Sequence, residues 1–485
     1  MEINKSKYEE ILVQSEVVLN GRGLTNIPCR LYLPNKIGNT PILELRPSKK
    51  DFHIIARSHD VGLKAEVIGR DNVTEKAIES SELRLLECIT RNWGHDLTES
   101  SIFAEPQHLR IVNNLRGHTP KKRTLVSFWI SPNDFLSPLI FSSRSYTGTV
   151  ENKKKNLYKK IINKGLALTF DKHFQYNDKN KMELRQWSNL VACAKINIPA
   201  ENVDEFLSTV LPEVDNFLLV VSLATKRRTA CIGWTASDGK TFTTYYRGNF
   251  KYPDFKKDGR IEDGLIEHQD FGQFVDITHA SFMAFENKLA LRNAIWAIVP
   301  SKETTIEESF LRLFAGLETL VLDFKRSKGM EYVLPLSKWA MVKENIKKHI
   351  GSCKELEMTS TQRGSMYKKL DELNRISLRE AFAAFCIEYA INVEDLWPVF
   401  NLAGIAGLVE IRNKLTHGDP LPSKLFPSLM VAREHLRALV ERVMVSVLGW
   451  DYEQTKVSPQ HIEHTTYLIR DMPEAQKTFN DYLFR

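Results

Sequence analysis

The chain has 485 residues, of which 42% are apolar and 26% charged, so it exceeds the size at which one core keeps growing, and two or three domains are expected. No apolar run approaches the ~18 residues of a membrane span, and the opening MEINKSKYEE lacks the basic-then-apolar pattern of a secretory signal. A cytoplasmic location is therefore expected, and a membrane is not an expected partner. The net charge is +7, and its distribution is uneven. Residues 301–485 hold 25 Lys and Arg against 25 Asp and Glu, so the whole excess lies before residue 301. Within that neutral part, residues 325–369 carry 11 basic and 4 acidic side chains. Such a stretch can gather phosphates by counterion release or can simply solvate helix faces. Cys29, Cys88, Cys193, Cys231, Cys353 and Cys386 are scattered with no C-x-x-C pair, which indicates reduced buried thiols and neither a zinc site nor a disulfide framework.

Residues 1 to about 295 read mostly as strands. SEVVL, CRLYL, PILEL, FHIIA, KAEVI and TLVSFWI are rich in β-branched and aromatic residues and recur between turn signals. The run ENKKKNLYKK at 151–160 reads as a subdomain boundary or as an exposed helix, so a break near 150–165 is an open alternative. A helix is expected near Val203–Val210. A hairpin follows: Thr229–Thr235, then Ala236-Ser237-Asp238-Gly239, then Lys240–Tyr246, where Asp-Gly supplies the positive φ of a tight turn.

The character changes at Pro300. Thr304 and Thr305 each have a Glu three residues on, Glu307 and Glu308, which is capping-box spacing. Ile306, Phe310, Leu313, Phe314, Leu317 and Val321 then follow at helical spacing. The pattern predicts helices over about 305–324, 336–350, 365–375, 378–391, 401–417 and 428–448. The fold class expected is α+β by segregation: a β-rich region over 1–297 and an all-α domain over 301–485.

The segment that carries chemistry is Gly407-Leu408-Val409-Glu410-Ile411-Arg412-Asn413-Lys414-Leu415-Thr416-His417-Gly418-Asp419-Pro420. Its helix should end at His417, with Gly418 past the end and Pro420 preventing continuation. Asn413 lies four residues before His417, on the same face, where it can orient the imidazole. Arg412 and His417 are five apart, or about 140° around the helix at ~100° per residue. Both can serve one phosphate if the long Arg reaches round or if a symmetry-related helix lies alongside. Other patterns carry less. Arg46 and His53 share the Arg-to-His spacing in a segment that reads as strand and loop. Gly239-Lys240-Thr241 precedes a strand-like TFTTYY instead of a helix, so it forms no phosphate cradle. His461 and His464 fit a solvated helix face better than a metal site.

An Arg, an Asn, three further residues and a His at a helix end resemble the R-N-x-x-x-H motif of HEPN nucleases. The resemblance extends to Glu308–Phe324, with Ala315-Gly316-Leu317-Glu318, and to Ser377-Leu378-Arg379-Glu380-Ala381-Phe382. Together these are similar to the ApeA-like HEPN proteins of bacterial anti-phage defence, in which a β-rich N-terminal domain precedes the HEPN domain. Residues 220–248 resemble the later part of that N-terminal domain. The resemblance implies metal-independent RNA cleavage by attack of the ribose 2′-OH, leaving a 2′,3′-cyclic phosphate. His417 would act as general base or acid, Arg412 would stabilise the phosphate, and Asn413 would orient His417 or bind phosphate. For Glu318 the resemblance implies support of the site from the first helix; the alternative is a surface carboxylate. No cofactor or metal is implied. The partners implied are RNA, with transfer RNA among the candidates, a second copy of the chain through the HEPN domain, and a phage-derived trigger of an abortive-infection response. A non-catalytic HEPN module that dimerises or binds nucleic acid is the alternative.

Overall fold

The computed structural model describes residues 8–19, 22–34, 40–60, 65–70, 77–93, 97–114, 117–137, 139–144, 150–155, 158–163, 166–177, 185–197, 203–247, 264–299, 304–353, 358–402, 404–417, 421–464 and 466–484. The fold is α+β, with an antiparallel sheet region followed by a helical region. The chain divides into two compact units, Met1–Gly264 with His268–Gly272, and Leu265–Glu267 with Gln273–Arg485. This division falls earlier than the change of character at Pro300, a residue outside those described.

The first unit is organised by strand alternation. Strand β1 (Tyr8–Leu19) buries every second side chain from Ile11 to Leu19. It pairs antiparallel with β2 (Arg22–Pro34) on one edge and β4 (Ala65–Arg70) on the other. β2 continues to β3 (Ile42–Leu45), β3 to β6 (Leu97–Asn114), β6 to β5 (Ala77–Trp93), and β5 back to β4. The ring is thereby closed into a six-stranded antiparallel barrel in which each strand has a neighbour on both sides. Ile11, Val17, Leu31, Leu43, Val67 and Ile102 are among the residues of its core. The FHIIA segment is helical, not a strand: it lies in α1 (Lys49–Asp60) and contributes Ile55 to that core. The Ser48 hydroxyl accepts from the Asp51 N–H at 3.2 Å, an N-cap that strand periodicity hid.

β6 belongs to two arrangements at once. Residues 102–104 pair with β3, while 108–114 pair with β14 (Thr241–Arg247). From β14 an open sheet runs through β13 (Cys231–Ser237), β7 (Thr124–Ile130), β12 (Arg185–Ile196), β11 (Leu166–Asn177) and β10 (Lys159–Asn163). The expected Asp238-Gly239 hairpin joins β13 to β14, with Gly239 at φ +90° and the Asp238 carboxylate accepting from the N–H groups of Lys240 and Thr241 at 2.8 and 2.7 Å. Of the lysine run at 151–160, the residues 151–155 and 159–160 are extended, not helical: they belong to β9 (Val150–Lys155), which pairs with β8 (Leu139–Arg144), and to β10. The expected short helix is the 23-residue α2 (Val203–Thr225). By length and composition α2 could cross a membrane, yet 61% of its most apolar window is buried inside the fold, and its Phe217 ring packs against Phe170 and Tyr158. It is a core helix.

Helix formation begins before Pro300, with α3 (Phe271–Ala284) and α4 (Lys288–Ile298) in a region that reads mostly as strand. Next comes α5 (Ile306–Ser327). The Thr305 hydroxyl caps it by accepting from the Glu308 N–H, and Glu307 and Glu308 in the first turn and Lys325 and Arg326 in the last complement the helix dipole. α5 packs on α4, on α8 (Leu378–Glu388), on α9 (Leu408–Thr416) and on α10 (Phe426–Val447). Gly316 permits its close approach to α4, since a Cβ there would lie 3.1 Å from that of Ala297. α6 (Leu336–Ser352) and α7 (Ser360–Lys369) lie between α5 and α8 in sequence. α11 (Pro459–His464) and α12 (Thr466–Leu483), absent from the expected set, complete the unit.

Two buried polar centres order this unit. Arg442, with no exposed surface, is bidentate to Asp395 at 2.7 and 2.8 Å and also donates to the carbonyls of Val457 and Asn392. His435 accepts from the Trp397 N–H at Nδ1 and meets the Leu468 carbonyl at Nε2, 3.1 Å away. That pattern requires a neutral ring with its proton on Nε2.

None of the six cysteines is in a disulfide. Cys29 and Cys231 are buried as expected and burial pushes each thiol up to about 12, but Cys88 is exposed.

Candidate active site

The helix that carries Arg412 is shorter than its periodicity suggests. The described residues 401–402 and 404–407 do not join it: Gly404 takes φ +88°, and the Leu402 N–H donates to the Ile405 carbonyl at 3.1 Å. Two side chains hold this loop. Asn480 of α12 accepts from the Ala406 N–H and donates to the Gly404 carbonyl, each at 2.6 Å, and the Trp397 indole donates to the Ala406 carbonyl at 2.9 Å. α9 then starts at Leu408, whose N–H donates to the Pro398 carbonyl, as that of Val409 does to Val399, both at 2.9 Å. The Glu410 carboxylate accepts from the Gly407 N–H at 2.8 Å. Backbone donors left over at the helix start are thus met. Leu408 and Ile411 are buried, which turns Arg412 toward α5.

Arg412 is held on three sides. Its guanidinium donates to Glu318 at 3.0 Å and to the Asn413 side-chain oxygen at 3.1 Å, and it lies over the Phe314 ring at 5.6 Å. Phe314 and Glu318 are four residues apart on α5 and share a face. The structure therefore brings Glu318, Arg412 and Asn413 together, although Glu318 and Arg412 are 94 residues apart in sequence. Glu318 is a partner of Arg412 and not an isolated surface carboxylate. Phe314 reads from the sequence only as a core residue; its place beneath Arg412 emerges with the packing.

His417 follows α9 as its C-cap, with its N–H donating to the Asn413 carbonyl at 3.1 Å. Its ring is exposed and makes no hydrogen bond among the described residues. The expected orientation of His417 by the Asn413 side chain is not made; the Asn413 oxygen serves Arg412 instead. Gly418, Asp419 and Pro420, the expected stop signal, lie outside the described residues. A fixed guanidinium and an exposed imidazole carried by one helix can supply anion stabilisation and proton transfer, the two functions that phosphodiester cleavage needs, once both reach the same phosphate.

The other patterns form no site. Gly239-Lys240-Thr241 is a hairpin turn, His53 is exposed on α1, and Arg46 is committed to Glu44 at 2.7 Å. Among the described residues no group of three or more His, Cys, Asp or Glu gathers as a metal site would require. Comparison with known protein families, with curated proteins and with solved structures finds no match to this chain.

Proposed function

We propose that the helical unit is a HEPN-type, metal-independent endoribonuclease and that the chain is a cytoplasmic effector of anti-phage abortive infection. The observation that carries this reading is the Arg412 guanidinium held by Glu318, Asn413 and Phe314 on a helix whose end presents an exposed His417 ring. In the proposed reaction His417 takes the proton of a ribose 2′-OH, whose oxygen attacks the adjacent phosphorus. Arg412 stabilises the charge on the non-bridging oxygens, the P–O5′ bond breaks as the 5′-oxygen takes a proton from water, the protonated His417 returns its proton to solvent, and a 2′,3′-cyclic phosphate remains. Two copies of the chain joined by an isologous interface would let Arg412 and His417 of facing helices act on one phosphate. In this reading the β-rich unit senses a phage-derived trigger, and transfer RNA is among the candidate substrates. The test is cleavage of total cellular RNA in EDTA by the protein and by Arg412→Ala and His417→Ala. Cutting that survives EDTA, leaves cyclic phosphate ends and vanishes in both variants is the expected result.

The Arg412–Glu318 pair also favours a second reading, in which Arg412 merely ties α9 to α5 in a module that dimerises or binds nucleic acid. Unchanged RNA binding with no cleavage by wild type, alone or in phage-infected extract, would select it.

A further inference from the structure

The chain between α5 and α8 leaves the helical unit as an arm and returns. Its neck is stitched by Asn374, almost wholly buried, which accepts from the Leu334 N–H at 2.8 Å and donates to the Leu334 carbonyl at 2.9 Å. Beyond the neck α6 packs on α7 and on the 3-10 turn Leu370–Asn374, around Trp339 and Leu370. Every other side chain of α6 and α7 is exposed or half-buried. So little buried area is more than a core element needs to discard, and the exposed face calls for another purpose.

Charge identifies what would meet it. Residues 328–377, the chain between the two helices, carry 10 basic and 6 acidic side chains, whereas the rest of 301–485 carries 15 basic and 19 acidic. The arm is thus the cationic part of an otherwise acidic region. Several of its cations are spent internally: Lys328 on Glu388, Lys343 on Asp371 and Lys347 on Glu344. Lys338, Lys348, Lys368 and Lys369 are exposed and have no ion-pair partner among the described residues. On α6, Lys338, Met341, Asn345 and Lys348 recur at helical spacing on one stripe, with Met341 71% exposed. A bilayer would be met by a continuous apolar face flanked by lysines. Here the exposed apolar side chains of α6, Leu336, Met341 and Val342, point in different directions around the helix and alternate with Lys338 and Lys348, a mixture that suits a phosphate chain with apolar base faces between its charges.

We propose that the α6–α7 arm is the surface on which this protein grips a single strand of RNA. The proposal rests on the nuclease reading for its choice of RNA, and binding tests it apart from cleavage. In the His417→Ala background, so that no strand is cut, binding of a labelled 20-nucleotide RNA is followed by anisotropy across a salt series. Changing Lys338, Lys348, Lys368 and Lys369 together to Ala should weaken binding at least tenfold at ~0.1 M salt and lower the log–log salt slope by about 3. The melting temperature should not change, because all four side chains are exposed. Unchanged affinity and slope would overturn the proposal, as would absence of RNA binding by the parent protein. Capture of phosphatidylserine vesicles in place of RNA would also overturn it and assign the arm to a membrane. Failure of the wild type to cut RNA would sink the nuclease reading alone and leave the binding result standing.

Discussion

At the scale of single residues the site is decided by what Arg412 is allowed to do. A free arginine samples many rotamers, and a phosphate would have to fix it at the moment of binding, at a cost in side-chain entropy. Here Glu318 and Phe314 have already fixed it. Both members of the ion pair are partly exposed, at 33% and 28%, so solvent screens it and its worth to stability is below about 1 kcal/mol. For the proposed cleavage its consequence would be larger, since a misplaced catalytic group can cost on the order of 100-fold in rate. Glu318→Gln should therefore leave the urea midpoint nearly unchanged while kcat for RNA cleavage falls by roughly tenfold or more, with KM little altered. A midpoint shift with kcat intact would make Glu318 a structural tie only.

At the scale of elements, the position of α9 depends on a residue without a side chain. A Cβ on Gly407 would stand 2.5 Å from the backbone carbon of Phe400 and 2.7 Å from the Asn401 nitrogen, and neither can swing aside as a side chain would. Gly407→Ala should cost about 1–3 kcal/mol, seen as an earlier unfolding midpoint, and should weaken cleavage because Arg412 rides on the displaced helix; an unshifted midpoint would mean that the 401–407 loop yields freely. The sequence announces α9 by its apolar spacing and its His-Gly end, and α5 by the Thr305 cap, because both signals are local. Gly407 reads there only as the start of a motif, since what it must fit under, Phe400, is met through a fold-back. The pairing of Glu318 with Arg412 and the return of β4 onto β1 are unreadable for a stronger reason: no spacing rule joins residues so distant in sequence. α1 was hidden otherwise, by an FHIIA composition that suits strands as well as helices, although Ser48-x-x-Asp51 stands before it as a cap.

At the scale of the whole molecule, the chain's division into two compact units implies two cooperative cores, and each should melt with its own transition. Acidity should separate them. Burial holds the His435 imidazole below its ordinary 6.5, and the hydrogen bond at Leu468 opposes that only in part. Above pH 6.5 the ring is neutral in both the folded and unfolded states, and the helical unit has its full stability. As pH falls below 6.5 the unfolded chain takes up the proton first, so stability is lost until the pH reaches the lower folded value. Calorimetry from pH 7.5 to 5.5 should show one of two transitions moving down in temperature. In His435→Gln, whose amide can accept from Trp397 and donate to Leu468, that transition should start lower and move less with pH. A single transition at every pH would mean that the two units unfold as one, and equal pH slopes in wild type and variant would place the titrating group elsewhere.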